Sequence, residues 1–425
     1  MPVCADRLAM GSCWCRQLPA KVYSVYLLKR FLAELIVLLT LHAAQGRPGS
    51  RGGGPSAQPQ AVVFVVEPDC LPLRERPLSK TKMTAEPNRP AADCDVSVLI
   101  LFFNRPEPLA RVFEAVRQAR PARLFLYQDG PRGEQDTAGI EACRRVVEGV
   151  DWQCTVHRNY QAVNAGCNPS NYNAQRWAFT LTDKCIVLED DSIPSQSFFP
   201  FCKELLDRYA EDERIVMISG FNSEERIDSP YDYTFTHWQA IWGWATWRRV
   251  VQAWDPTYAW MDDAYALQQV RALVKRRGMS PHMLRAAADH RSTGHPYYAT
   301  LLWSTIVLQN GLAIAPTRNM VTNLGAVPGS VHYSSDLDTM PRRVRRMFTM
   351  PAYYLQGPLR HPPYVIEDVA YTQQIYRTYA LGHPWIKVGR SLEELWLNLI
   401  RGRFGVIGKA LRQRVRKWMG LVKHV

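Results

Sequence analysis

The sequence predicts an α/β protein with a doubly wound, mostly parallel sheet. From Val96 onward, apolar segments of strand length alternate with segments whose apolar residues recur at helical spacing. The strand segments are continuous apolar runs, which is typical of strands buried on both faces. Polar residues gather where these strands end, and open α/β sheets bind ligands at that edge.

The predicted elements follow one another in a regular order. Strands are predicted at residues 96–103, 123–127, 153–157, 184–188, 215–219 and 312–316. A helix is expected to begin at Pro106, and Asn168-Pro169 is expected to cap another. The remaining helices are predicted at residues 134–148, 195–209, 265–277, 281–290 and 297–309. Between them, the aromatic segment from His237 to Trp247 has no regular period, and its tryptophans are expected in the core.

The fourth strand ends in three consecutive carboxylates, Glu189, Asp190 and Asp191. Their charges repel one another, and a hard divalent cation with oxygen ligands relieves that repulsion. A diphosphate completes such a coordination shell, so the triplet suggests a metal–nucleotide site. The alternative is an acidic turn ahead of a helix near Ser195, whose N-terminus also favours negative charge.

Two other strand ends carry polar side chains. Arg105 follows the first strand and Asp129 the second. Arg105 either contributes to nucleotide binding or pairs with Asp129, and Asp129 before Gly130 is either a ligand or a turn residue. No Gly-x-Gly-x-x-Gly turn follows the first strand, which argues against a dinucleotide-binding fold.

The net charge of +13 is concentrated at the C-terminus. Residues 386–425 hold ten basic and two acidic residues, so the body of the protein is nearly balanced. This distribution argues against a nucleic-acid partner. Apolar residues at helical spacing run from Ile407 to Met419, so the tail is predicted to form a basic helix. We expect this helix either to lie on a membrane or to pack its apolar face against the domain.

The N-terminal region is typical of a targeting segment. Lys29 and Arg30 precede an apolar stretch from Phe31 to Ala44, and residues 45–60 are rich in Gly, Pro, Ser and Arg. The stretch is either a signal anchor with its positive flank in the cytosol or a signal peptide cleaved near Ala44. We expect a single-pass type II protein of the Golgi or ER membrane with its main domain in the lumen.

Ten cysteines are present, without the spacing of a zinc site. Seven of them follow the glycine-rich segment, namely Cys70, Cys94, Cys143, Cys154, Cys167, Cys185 and Cys202. In an oxidising lumen we expect one or two disulfides among these seven. Cys185, inside an apolar strand, is expected to be a buried thiol instead.

Several of these segments together resemble a known family. The segments are Val98–Arg105 with Pro106, Tyr127–Gly130, Gln175–Ala178, Leu188–Asp191 and Trp242–Trp244, followed by Gly311–Pro316, Gly325 and His332. In order and spacing they are similar to inverting nucleotide-sugar glycosyltransferases related to N-acetylglucosaminyltransferase I. The resemblance covers roughly residues 94 to 335 and implies a type A glycosyltransferase fold with a UDP-sugar donor.

The resemblance also implies roles for individual residues in donor binding. Arg105 and Asp129 match positions that hold the uridine, and Glu189 and Asp190 match positions that face the ribose and diphosphate. Asp191 matches the ligand of a Mn²⁺ ion, for which Mg²⁺ is the alternative. His332 lies in a segment, residues 325–332, that resembles a mobile loop closing over the donor.

One expected feature is missing from the chain. Relatives have a Trp-Asp pair about a dozen residues before the Gly311 position, and its carboxylate is the catalytic base that the reaction requires. This chain has Tyr297-Tyr-Ala-Thr-Leu-Leu-Trp303 there. Asp289 and His295 are the nearest replacements for the base.

The sequence therefore predicts a metal-dependent transferase of a sugar, N-acetylglucosamine by resemblance, from a UDP-sugar to a glycan or glycoprotein. A protein that kept the donor site and lost the base is one alternative, and a sugar nucleotidyltransferase is another. The predicted parts are a tail and anchor (1–44), a stem (45–92), a catalytic domain (93–385) and a basic tail (386–425). Within the catalytic domain, residues 93–222 form the nucleotide half and residues 223–385 the acceptor half.

Overall fold

The computed structural model describes residues 94–238, 240–279, 281–295, 297–326, 337–408, 410 and 412. All of them belong to one compact unit, residues 83–425. The predicted anchor, stem and His332, and most of the tail beyond residue 408, lie outside the described residues. No helix within the described ranges is long and apolar enough to cross a membrane.

Ten strands are found in the described part of the chain. They are β1 (Ser97–Phe102), β2 (Arg123–Gln128), β3 (Thr155–Tyr160), β4 (Lys184–Glu189), β5 (Ser192–Pro194), β6 (Ile215–Ser219), β7 (Tyr233–Thr236), β8 (Trp244–Trp247), β9 (Leu312–Pro316) and β10 (Val321–Asn323). Eight form one sheet in the order β3-β2-β1-β4-β8-β6-β9-β7, and β5 pairs with β10 in a small antiparallel ribbon.

The described helices connect and cover these strands. They are α1 (Pro106–Ala119), α2 (Thr137–Val147), α3 (Cys167–Leu181), α4 (Phe198–Arg208), α5 (Arg248–Gln252), α6 (Ala264–Arg276), α7 (His282–Thr293), α8 (Tyr298–Leu308), α9 (Arg342–Thr349), α10 (Val369–Thr378) and α11 (Pro384–Ile400). The apolar face predicted for α1 is buried, as Leu109, Val112 and Val116 show.

The strand order contains a switch point between β1 and β4. The chain runs outward from β1 to β2 and β3, all parallel, and then returns to place β4 on the other side of β1. Because parallel crossovers are right-handed, α1 and α2 cover one face of the sheet and α3 covers the other. The reversal leaves a crevice at the carboxyl ends of β1 and β4, which is where ligands bind in such sheets.

The far half of the sheet is mixed. Strand β8 runs antiparallel to both β4 and β6, β9 is parallel to β6, and β7 closes the sheet as an antiparallel strand. The predicted acceptor half therefore contributes strands to the same sheet as the nucleotide half. The segment without a regular period contains β8, whose Trp244 and Trp247 are buried as expected.

Several predicted boundaries were wrong. Strand β3 begins and ends later than predicted, at Thr155 and Tyr160. Helix α3 begins at Cys167 without a side-chain cap, since Gly166 (φ +87°) precedes it and Pro169 lies in the first turn, where its missing N–H is not needed. Helix α4 begins at Phe198, because β5 follows the acidic triplet and separates it from the helix.

The expected disulfides are not formed among the six described cysteines. Cys94, Cys143, Cys154, Cys185 and Cys202 are free thiols. Cys94, Cys143, Cys185 and Cys202 are buried, and burial raises the pKa of Cys143 to about 12. Cys185 in β4 is completely buried, as predicted.

The close approach of Gly130 to the chain at Val163 provides a test of the fold. A Cβ atom built on Gly130 lies 2.4 Å from the carbonyl carbon of Val163. Gly130→Ala is therefore expected to destabilise the protein by about 1–3 kcal/mol. Gly389→Ala in α11, where a Cβ meets nothing within 4 Å, is expected to stabilise it by about 0.5–1 kcal/mol. Thermal unfolding of both variants measures these changes in stability. Equal midpoint temperatures for the two variants contradict the close approach of Gly130 to Val163.

Candidate functional site

The acidic triplet lies in the crevice at the switch point. Glu189 is the last residue of β4 and stands opposite Leu101 of β1, while Asp190 and Asp191 form the turn into β5. Asp190 is 5% exposed and Asp191 7% exposed. Burial of adjacent carboxylates is costly unless cations or hydrogen-bond donors compensate them.

Arg105 provides the compensating cation among the described residues. It follows β1 and directly precedes α1, and its Nη2 donates to Asp190 and, at 2.9 Å, to Asp191 Oδ2. Its Nε donates to the other oxygen of Asp190 at 3.4 Å. The guanidinium thus bridges two carboxylates in a forked arrangement that lysine does not provide. The alternative prediction, that Arg105 pairs with Asp129, was wrong.

Glu189 has a different environment. The hydroxyl of Tyr298, at the start of α8, donates to Glu189 Oε1 at 2.8 Å. Burial, together with the nearby charge of Asp191, raises the pKa of Glu189 to about 7. Burial also raises the pKa of Asp190 to about 6, against the opposing effect of Arg105. The described site holds more negative charge than Arg105 neutralises.

The ribbon formed by β5 and β10 holds Asp191 in place. Asn323 Nδ2 donates to Asp191 Oδ1 at 3.3 Å, and the N–H of Leu324 donates to the Asp191 carbonyl at 2.7 Å. The N–H of Gly325 donates to Asn323 Oδ1 at 2.7 Å. A Cβ on Gly325 would lie 3.0 Å from Asp191 Oδ2, so glycine lets this chain segment approach the carboxylate.

Tyr298 and Asn323 were not predicted as site residues. The segment beginning at Gly325 was recognised, but the pairing of the preceding residues, Val321–Asn323, with β5 was not. The only sequence signal for Asn323 was its position two residues before a glycine. Tyr298 had no signal beyond its place in the segment that lacks the expected carboxylate.

The carboxylate of Asp129 is engaged in hydrogen bonds with nearby loop residues. It accepts four hydrogen bonds, from the N–H groups of Gly130, Ala165 and Gly166 and from the side chain of Asn164, at 2.9–3.0 Å. It therefore fixes the loop that leads into α3. Its role toward a uridine stays a prediction, and a ligand would have to share or replace these donors.

The side chains of both candidate bases are exposed. Asp289 is an exposed residue of α7, and His295 is exposed just after that helix. Neither makes a contact with the triplet among the interactions of the described residues. The resemblance places the missing carboxylate within Tyr297–Trp303, a segment that contains no Asp or Glu.

The triplet fits a metal ion by its chemistry. Within the described ranges, no group of three or more His, Cys, Asp and Glu side chains is arranged to hold a metal by itself. Magnesium-type sites, however, use one or two carboxylates and complete the shell with phosphates and water. Asp191 supplies a hard oxygen ligand whose Oδ1 accepts only a 3.3 Å and a 3.5 Å hydrogen bond. The surplus of negative charge favours a cation there.

Comparisons with known proteins add little to this geometry. No protein-family model matches the chain, and no curated protein matches its sequence. A mannosyltransferase from Pyrobaculum calidifontis, solved in complex with GDP-Man and Mn²⁺, is 12% identical with a TM-score of 0.27. That match covers 40% of this chain and half of the mannosyltransferase.

A second solved structure is a 4-diphosphocytidyl-2C-methyl-D-erythritol synthase from Anaerococcus prevotii. It is 7% identical with a TM-score of 0.23, over 40% of this chain and 78% of that one. Similarity at this level is too weak to support a function, which is argued below from the site itself.

The raised pKa values predict how stability depends on pH. Glu189 and Asp190 keep their protons to higher pH in the folded than in the unfolded protein, so stability falls as pH rises from about 4 to 7. One pKa unit corresponds to about 1.4 kcal/mol. In metal-free buffer, Glu189→Gln is expected to reduce the loss of thermal stability between pH 5 and 7.5. The exposed Glu141→Gln is the control, and equal slopes for both variants contradict the assignment.

Proposed function

We propose that this protein is a metal-dependent inverting glycosyltransferase with a type A fold. It transfers a sugar, N-acetylglucosamine by resemblance, from a UDP-sugar to a glycan or glycoprotein. The main support is the cluster of Glu189, Asp190, Asp191 and Arg105 at the switch point of the sheet. A buried anionic cluster at this edge suits a metal-bound diphosphate.

In this proposal each residue of the cluster has a separate task. Asp191 is the protein ligand of Mn²⁺ or Mg²⁺, which when bound stabilises the leaving diphosphate as a Lewis acid. Asn323 and the ribbon keep Asp191 at the mouth of the crevice. Arg105 orients Asp190 and Asp191 and presents a planar cation toward the donor nucleotide.

A second candidate function is a donor-binding protein without transferase activity. The observation that favours it is the exposure of Asp289 and His295, neither of which contacts the triplet among the described residues. Such a protein binds UDP with a metal and releases nothing from UDP-sugars. The nucleotidyltransferase alternative lacks a specific supporting feature, because no glycine-rich loop follows β1.

We also propose residence in the Golgi or ER membrane, with the catalytic domain in the lumen. This proposal rests on the sequence of residues 1–44. A further feature supports contact of the C-terminus with the membrane. In and after α11, large apolar side chains are exposed beside basic ones, namely Trp385, Leu392, Trp396, Leu399, Ile400, Phe404 and Val406.

The metal assignment predicts the behaviour of Asp191→Asn. The amide is a poor ligand for a hard cation, so Mn²⁺-dependent binding of UDP is expected to weaken by at least about tenfold, or 1.4 kcal/mol. Asp207→Asn, on α4 beside Lys184 and away from the triplet, is the control with the same chemical change. Calorimetry with UDP in the presence and absence of Mn²⁺ makes the measurement. Unchanged binding by Asp191→Asn rules out Asp191 as the ligand.

The membrane contact predicts a lipid-dependent protection of α11. In full-length protein reconstituted with anionic vesicles, hydrogen exchange in residues 384–406 is expected to be slower than with neutral vesicles. The double variant Trp396→Glu, Ile400→Glu is expected to lose this difference, while α10 serves as an internal control. Equal exchange in both lipids contradicts the contact and favours packing of the tail against protein.

A further inference from the structure

A cavity of about 390 Å³ lies between α7 and α8. Its wall is mostly apolar and includes the aromatic side chains of Trp238, Trp242, Tyr297 and Trp303, together with His290. Aromatic faces with few polar groups suit a sugar ring or another hydroxyl-bearing group that presents an apolar face.

Two tyrosines connect the cavity to the acidic triplet. Tyr297 lines the cavity, and its ring meets the ring of Tyr298 edge to face at 5.5 Å. Tyr298 in turn donates its hydroxyl hydrogen to Glu189. On the other side, Tyr297 meets the ring of His290 edge to face at 5.5 Å. The ring of Tyr297 therefore lies between His290 and Tyr298, the residue that donates a hydrogen bond to Glu189.

Hydrogen bonds around Thr300 hold the ring of His290. The hydroxyl of Thr300 lies 2.8 Å from the carbonyl of Tyr297, 2.7 Å from the hydroxyl of Tyr258 and 3.0 Å from His290 Nδ1. When Thr300 donates its single hydrogen to the Tyr297 carbonyl, it accepts from Tyr258 and from Nδ1 of His290. In this arrangement the proton of the neutral imidazole is on Nδ1, and Nε2 has the lone pair that a base requires.

We propose that His290 is the proton acceptor of the transfer reaction and that the aromatic cavity receives the acceptor. This inference rests on the proposed glycosyltransferase function. The acceptor oxygen attacks the anomeric carbon, and the bond from that carbon to the donor phosphate oxygen breaks. The diphosphate leaves with the electron pair of that bond, and the acceptor's hydroxyl proton passes to Nε2 of His290. His290 thereby takes the task that the carboxylate of the Trp-Asp pair performs in the family that the sequence resembles.

The test compares full-length wild-type protein with three variants of α7, namely His290→Asn, His290→Ala and His282→Asn. His290→Asn retains an N–H near the Nδ1 position for Thr300 but has no group in place of Nε2. His282→Asn makes the same change at the other histidine that lines the cavity. Each protein is incubated with a panel of UDP-sugars and Mn²⁺, either with water alone or with added glycans as the acceptor. The release of UDP is followed. Binding of UDP with Mn²⁺ is measured in parallel.

We expect His290→Asn to bind UDP as the wild type does and to release it about 10²–10⁴-fold more slowly. His282→Asn should retain release, and added imidazole should restore part of the release by His290→Ala. Unchanged release by His290→Asn, or an equal loss in His282→Asn, overturns the assignment of His290. Wild-type protein that binds UDP but releases none from any UDP-sugar overturns it as well, while the donor site stands. Absence of UDP binding by the wild type rejects the proposed function itself and this inference with it.

Discussion

The burial of three consecutive carboxylates at the end of β4 is the constraint on which the rest of the site depends. Two of them are almost completely buried, and burial, reinforced by the charge of Asp191, raises the pKa values of Glu189 and Asp190. The fold compensates them from three directions. The end of β1 supplies the guanidinium of Arg105, α8 supplies a tyrosine hydroxyl, and β10 supplies an amide. The switch point of the sheet brings the ends of β1 and β4 together for this purpose.

Charge also explains why a donor site of this kind needs a further cation. Three carboxylates and one guanidinium leave a net negative charge, and a nucleotide diphosphate adds more. Arg105 alone therefore cannot hold both the carboxylates and the phosphates. In the proposed function, a divalent ion held by Asp191 would resolve the conflict, because it would attract the diphosphate as well as the carboxylate. Arg105 would then orient the carboxylates, and the ion would supply the positive charge that the donor requires.

The elements that local pattern specifies were predictable, and those that depend on distant pairing were not. The strands leading to the triplet, the helix at Pro106 and the position of Arg105 follow from periodicity and from residues within one segment. Tyr298 and Asn323 reach the triplet from 109 and 132 residues away, and no local pattern marks such partners. Strand β8 was not predicted, because its four residues do not alternate between apolar and polar side chains. Pairing with two antiparallel neighbours, β4 and β6, holds them in the sheet.

The same charge balance bears on the missing carboxylate. A fourth acidic side chain beside Tyr298 would add to a cluster that already has a surplus of negative charge, and it would compete for the hydroxyl that Tyr298 gives to Glu189. A histidine avoids this conflict. Burial lowers the pKa of His290, partly offset by Asp289, so the imidazole is neutral near pH 7. It therefore accepts a proton without first adding a negative charge to the crevice. A neutral base of this kind leaves the charge of the triplet unchanged until it takes up a proton, whereas another carboxylate would add to that charge.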